Sequence, residues 1–142
     1  MPGSSGRAEW SADQLARIGE ADELQLAAGR PDGTLGPYVT MWVVRVGDDL
    51  YVRSAGGPDR PWYRRATAAG VGRIRAGGVE ADVTFDRSNG EVEETIDAGY
   101  HSKYDRYGAH IVGSVVGDAA HQVTVCLIPA AAIPTQEQIE RG

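Results

Sequence analysis

Cysteine occurs once, at Cys126, so no disulfide can close within the chain and the fold must be held by packing alone. A reducing, cytoplasmic setting is the expectation. Long apolar runs are missing too: nothing approaches the roughly 20 apolar residues of a membrane-spanning helix. Met1 to Gly6 has neither the basic start nor the apolar centre of a secretory signal. Positive charge is scarce, with 14 Lys and Arg against 20 Asp and Glu and a net charge of -6, a balance that repels nucleic-acid phosphates and anionic lipid. Neither nucleic acid nor a membrane is therefore expected as a partner. His101, His110 and His121 fall at no zinc-ligand spacing from one another or from Cys126, so no metal site is expected. No Gly-x-Ser-x-Gly elbow is present, and no sequence feature assigns Ser54 a base. Internal repeats are also absent.

What remains is a chain long enough, at 142 residues, to bury one core. The reading is a single domain over residues 10–130 between a flexible tail at 1–9 and a C-terminal tail at 131–142. Ser11 opens a helix, with Gln14 placed for a capping box and Trp10 placed to staple onto Leu15, and Gly19 is its expected stop. Leu24, Leu26 and Ala28 alternate along a strand that ends in the turn cluster Gly29 to Gly33. Tyr38 to Val46 reads as one unbroken strand, and beyond Gly47-Asp48-Asp49 the run Leu50 to Ser54 alternates again.

Pro61 to Ala69 reads as a helix capped by Gly70, with Ala66 and Ala69 on the face below Trp62. Val71 to Ala76 and Val79 to Asp86 form a hairpin about Gly77-Gly78. A helix over Glu91 to Tyr107 carries Val92, Ile96, Tyr100, Tyr104 and Tyr107 at helical spacing, and Gly108 ends it. Ile111 to Val116 and Gln122 to Ile128 are expected as closing strands, with Cys126 a small buried hydrophobe and one helical turn at Gln136 to Glu140 in the tail. The fold class is mainly β (α+β): a small barrel of six or seven mostly antiparallel strands with two or three short flanking helices.

Leu50 to Tyr63, LYVRSAGGPDRPWY, is the stretch best suited to a site. It joins a strand, the bare backbone of Gly56-Gly57 and a helix start at Pro61, and the first free N–H groups of a helix favour an anion such as a phosphate. An ordinary Pro- and Gly-rich surface turn is the competing reading. Arg30, Arg53, Arg60, Arg64 and Arg65 gather around Gly33 and Gly56-Gly57, where guanidinium groups could pair with phosphate or carboxylate or simply be solvated. Tyr100, Tyr104 and Tyr107 bring three phenols near one helical stripe, able either to donate protons to a substrate oxygen or to fill the core.

The segment Leu50 to Ser54, Gly56-Gly57 and Pro61-Trp62-Tyr63 resembles that of deazaflavin-dependent nitroreductases. Gly29-Arg30-Pro31-Asp32-Gly33-Thr34 resembles their first glycine-rich turn, and the tyrosine helix follows in the same order. Over Trp10 to Pro129 the sequence is most similar to domain-of-unknown-function family 2255, a branch of the flavin and deazaflavin split-barrel superfamily. The resemblance implies a split β-barrel. It also implies that Arg30, Gly33 and Thr34 approach a cofactor phosphate, and that Arg53, Ser54, Gly56, Gly57, Trp62 and Tyr63 lie along the cofactor. Ser54, Tyr100, Tyr104 and Tyr107 would then be the catalytic, substrate-facing set. Two departures stand out: Asp32 beside a lone basic Arg30, and Arg53 before the serine.

Three functions stay open on the sequence. One is an FMN- or deazaflavin-dependent oxidoreductase acting on a small organic acceptor. Another is a cofactor-free barrel that binds a metabolite or catalyses a proton-transfer isomerisation or cyclisation. The third is a non-catalytic ligand-binding or dimerisation module. A small-molecule ligand is the expected partner, and a homodimer accords with the resemblance.

Overall fold

A computed structural model of the chain describes residues 9–87 and 90–130. Of the expected tails 1–9 and 131–142, all but Glu9 lies outside the described residues, the helical turn at Gln136 to Glu140 included. Seven strands run in chain order as β1 (Leu24–Ala28), β2 (Val39–Met41), β3 (Val44–Val46), β4 (Asp49–Arg53), β5 (Val71–Ala76), β6 (Val79–Arg87) and β7 (Thr124–Pro129). They form one antiparallel sheet in the order β2-β1-β5-β6-β7-β4-β3.

That order forces curvature. The edges β2 and β3 are six strand spacings apart, about 29 Å in a flat sheet at ~4.8 Å each. In the chain only Trp42 and Val43 separate them, and the three Cα steps from Met41 to Val44 reach about 11 Å at most. The sheet therefore curls until its edges nearly meet, a split barrel. The single strand expected over Tyr38 to Val46 is thus two strands on opposite edges. Val43 bonds to a helix rather than to a neighbouring strand: its N–H donates to the Tyr104 hydroxyl at 3.2 Å, and its carbonyl accepts from Lys103 Nζ at 2.8 Å.

The barrel interior is filled by Leu24, Leu26, Leu50, Val52, Ile74, Val83, Val125 and Leu127, all buried, with Trp10, Leu15 and Ile18 closing one end. Trp10 and Leu15 flank the first turn of α1 (Ala12–Glu20), whose Ser11–Gln14 capping box is formed as expected, though the helix continues one residue past Gly19. Trp10 Nε1 donates to the Leu127 carbonyl at 2.9 Å, tying this helix start to the sheet. Residues Pro61–Ala69 form α2, with Pro61 at its start and Gly70 as a left-handed cap; Trp62 and Ala66 face the core, while Ala69 is exposed. Gly77 and Gly78, at φ 59° and 83°, make the β5–β6 turn as their sequence requires.

A second core lies outside the barrel, where α3 (Glu93–Tyr104) covers β3, β4 and β7 with Ile96, Tyr100 and Tyr104 against Val44, Tyr51 and Cys126. β4 is therefore covered on both faces, and Leu50 to Ser54 is buried throughout rather than alternating. The expected Glu91 to Tyr107 helix is shorter, passing at Asp105–Tyr107 into a 3₁₀ turn. Ile111 to Val116 is not a strand. It forms α4 (Ala109–Val112) and a 3₁₀ turn (Gly113–Val115), followed by α5 (Asp118–His121). Val112 and Val115 are buried three residues apart, a helical spacing, while Ile111 stays 51% exposed.

Candidate functional site

Beside the barrel is a cavity of about 370 Å³. Val39, Met41 and Trp42 form one wall, Ala55, Gly56, Arg60 and Trp62 a second, and Ile111, Ser114 and Val115 a third. The long stretch that runs from β4 through the glycine turn to the start of α2 does reach this cavity. It contributes Arg53, Gly56 and Trp62; Ser54, Gly57 and Tyr63 do not line it.

Arg53 explains how the third wall is held. Its side chain is fully buried and all five of its N–H donors have protein acceptors. Nε donates to Thr124 Oγ1 at 2.9 Å, one terminal nitrogen to Asp97 Oδ1 at 2.5 Å and the Val115 carbonyl at 2.6 Å, and the other to Glu93 Oε1 at 2.8 Å and the Glu93 carbonyl at 3.1 Å. Expected to bind a ligand anion, Arg53 instead has no donor left to offer one. Burial pushes the Asp97 carboxyl up, but bonds from Arg53, from His121 Nε2 at 2.9 Å and from the Gly117 N–H at 3.3 Å together hold it below the usual carboxylate range. Through Val115 and Gly117 this network fixes the segment that carries Ile111 and Ser114 to the cavity.

Ser54 is likewise engaged, its hydroxyl donating to the Gly57 carbonyl at 2.6 Å across the turn. Arg60 lies directly over Gly56, where the absence of a Cβ makes room for its guanidinium. It precedes α2 and makes no side-chain cap bond, so no cap covers the first N–H groups of that helix.

The turn Arg30 to Thr34 stands apart, with none of Arg30, Gly33 or Thr34 lining the cavity. Asp32 Oδ1 accepts from both the Thr34 N–H at 3.0 Å and the Thr34 hydroxyl at 2.6 Å, and these bonds hold the Asp32 carboxyl below its ordinary value. The Thr34 donors and the Gly33 N–H expected to meet a phosphate are thus satisfied inside the turn, while the Arg30 guanidinium reaches Thr34 Oγ1 through one nitrogen at 3.5 Å.

The three tyrosines divide. Tyr100 and Tyr104 are fully buried. Burial raises the Tyr100 phenol well above its ordinary value and pushes Tyr104 up to about 12. The Tyr104 hydroxyl lies 2.8 Å from the Asp22 carbonyl and 3.2 Å from the Val43 carbonyl, so it stitches the barrel seam. Tyr107 alone is open, at 43% exposure. It lines an outer lobe of about 440 Å³ with Asp22, Glu23, Trp42 and Ile111. Glu23, Trp42 and Ile111 line the inner cavity as well, so the two spaces adjoin.

Trp42 is the residue that the sequence reading missed. Its indole stacks on Tyr104 with centroids 4.0 Å apart and planes 4° from parallel, and it lines both spaces. The available signal was a bulky indole in the middle of a supposed strand, where the chain in fact leaves the sheet. Among the described residues no group of three or more His, Cys, Asp or Glu side chains could hold a metal, and no helix is long and apolar enough to cross a membrane.

Residues 14–127 match the family described as uncharacterized protein conserved in bacteria (DUF2255). The chain belongs to that family. No curated protein matches this DUF2255 sequence. Solved structures similar to it include an F420-H2 dependent reductase, at 18% identity over 75% of this chain and 93% of that one with a TM-score of 0.55. The heme storage protein HutZ from Vibrio cholerae follows the same path at 14% identity, 85% and 90% coverage and a TM-score of 0.59. An FAD-binding protein from Mesorhizobium loti does so at 16% identity, 88% and 94% coverage and a TM-score of 0.51. At such identities the likeness is one of fold: the DUF2255 chain is a split barrel of the kind found in F420-dependent reductases and FAD-binding proteins.

Proposed function

We propose that the protein is an oxidoreductase that holds FMN or a deazaflavin in the inner cavity and passes a hydride to a small organic acceptor. One observation carries this reading: Arg60 and the uncapped start of α2 open on the same cavity as the indoles of Trp42 and Trp62. Val39, Met41, Trp42 and Trp62 suit a flat heteroaromatic ring, while Arg60 and the first N–H groups of the helix suit a phosphate. The residues present therefore fit both parts of such a cofactor, with Arg60 rather than Arg30 as the basic partner.

The cofactor would supply the hydride chemistry; the protein's part is to bind, orient and exclude water. Gly56 makes room for the Arg60 guanidinium, Ser54 fixes the turn through the Gly57 carbonyl, and Arg53 secures the opposite wall. Tyr107, the open member of the tyrosine set, faces the acceptor, whereas Tyr100 and Tyr104 support the wall from behind. The reading carries with it a cytoplasmic protein, one split-barrel domain over residues 10–130, and a homodimer, the last open to a native-mass measurement.

The visible absorption spectrum of the purified protein, followed by titration with FMN and with a deazaflavin, tests the reading. A bound chromophore, or uptake of either cofactor that Arg60→Ala weakens about tenfold through loss of one charge-assisted contact, supports it. A colourless protein that takes up neither would sink it. The closed Asp32–Thr34 turn favours a second reading, a cofactor-free metabolite site in the same cavity, because it removes one expected source of phosphate donors.

A further inference from the structure

We propose that the outer lobe is a subsite for an organic cation: a protonated amine, a quaternary ammonium or an N-alkylated heterocycle on the ligand that occupies the inner cavity. The inference rests on reading that cavity as a small-molecule site and not on which cofactor it holds.

Charge decides the class. Two carboxylates line the lobe, Asp22 and Glu23. Asp22 is balanced, since Arg106 lies 2.8 Å from Oδ1 and the Tyr107 hydroxyl donates to Oδ2 at 3.2 Å. The Glu23 side chain has no ion pair or hydrogen bond to any of the described residues. Lys103 adds its positive charge to that of Arg106 near Asp22, so Glu23 is the one carboxylate lining the lobe without a partner among the described residues.

The rest of the lining is aromatic and aliphatic: Trp42, Tyr107 and Ile111. Trp42 and Tyr107 stand 5.7 Å apart, their planes 30° from parallel. Trp42 is already backed by Tyr104, and Arg106 sits over the Tyr107 ring at 4.7 Å, so these rings are held in place before any ligand arrives. An anionic group entering the lobe would meet Glu23 at close range. A neutral apolar group would strip water from that carboxylate and return nothing. A cation answers both the free carboxylate and the ring faces, which attract positive charge through their quadrupoles. Arg60 on the inner cavity gives the combined space opposite polarity at its two ends, and so a preferred ligand direction.

The test is calorimetric titration of the full chain, without added cofactor, with benzyltrimethylammonium chloride, benzyl alcohol and phenylacetate in parallel. The expected result is that the cation binds in preference to the alcohol and the acid. Glu23→Gln should then weaken the cation about tenfold, the loss of one charge contact, and leave benzyl alcohol unchanged. Tyr107→Leu, at an exposed position, should lower the preference for the cation over the alcohol. Equal affinity for cation and alcohol, unaltered cation binding in Glu23→Gln, or no cation binding would each overturn the proposal. A protein that takes up neither FMN nor a deazaflavin yet binds the cation sinks only the redox reading, and a flavin-loaded protein indifferent to the cation sinks only the subsite.

Discussion

Arg53 is held by residues 40 to 71 positions away in the chain: Glu93, Asp97, Val115 and Thr124. Replacing it with Met leaves two carboxylates close together without their cation, and breaking such a buried pair costs about 3–5 kcal/mol. Urea unfolding of Arg53→Met should show a loss of this order. No local pattern could have announced these contacts, which is why the residue read as an anion binder. Tyr104→Phe is the milder case. It keeps the ring stacked on Trp42 but leaves the Val43 N–H without its acceptor, a destabilisation of about 1–3 kcal/mol for an unsatisfied buried group. If unfolding midpoints of Tyr104→Phe and wild type coincide, the seam does not depend on this hydroxyl.

Lys103 adds a pH signature. Burial pulls its amine down from 10.5 to about 8. Between those values the unfolded chain binds a proton that the folded chain has released, so stability rises with pH across that window. Tyr104 acts in the opposite sense: its phenol, raised to about 12, loses stabilisation as pH climbs above its unfolded value near 10. Stability attributable to this pair should therefore peak near pH 10 or just below it. Lys103→Met should flatten the rise between pH 8 and 10 in a series of urea melts, and an undiminished rise would refute the assignment.

Whole elements were more legible than single contacts wherever their signals were local. The Ser11–Gln14 box, Pro61 with Gly70, and the Gly77-Gly78 turn all formed where the sequence put them. The failures, Tyr38 to Val46 and Ile111 to Val116, are β-branched or apolar runs whose propensity was overridden by tertiary placement. Gly99 tests how α3 meets the barrel. A Cβ there would stand 2.5 Å from a methyl of Val44. Gly99→Ala should gain up to about 1 kcal/mol in helix propensity. Crowding a packed strand costs about 1–3 kcal/mol. Net destabilisation is expected, read from thermal unfolding, and a stabilised variant would mean that α3 can ride outward at little cost.

For the molecule as a whole, the barrel was legible because strand number and tight turns are carried by short-range pattern. The cavity was not, since its lining comes from Glu23 and from three separated segments, 39–42, 53–62 and 111–115, of which only 53–62 bore a recognisable motif. The connection through Trp42 and Val43 bears on more than curvature. Two residues set the greatest gap between the sheet edges, so the barrel has a fixed girth and cannot gape along its seam to admit a bulky guest. Under the proposed function a ligand would enter past the α4 wall, where Ile111 stands exposed, while lengthening the seam by even a few residues would turn a tied hoop into an open clasp.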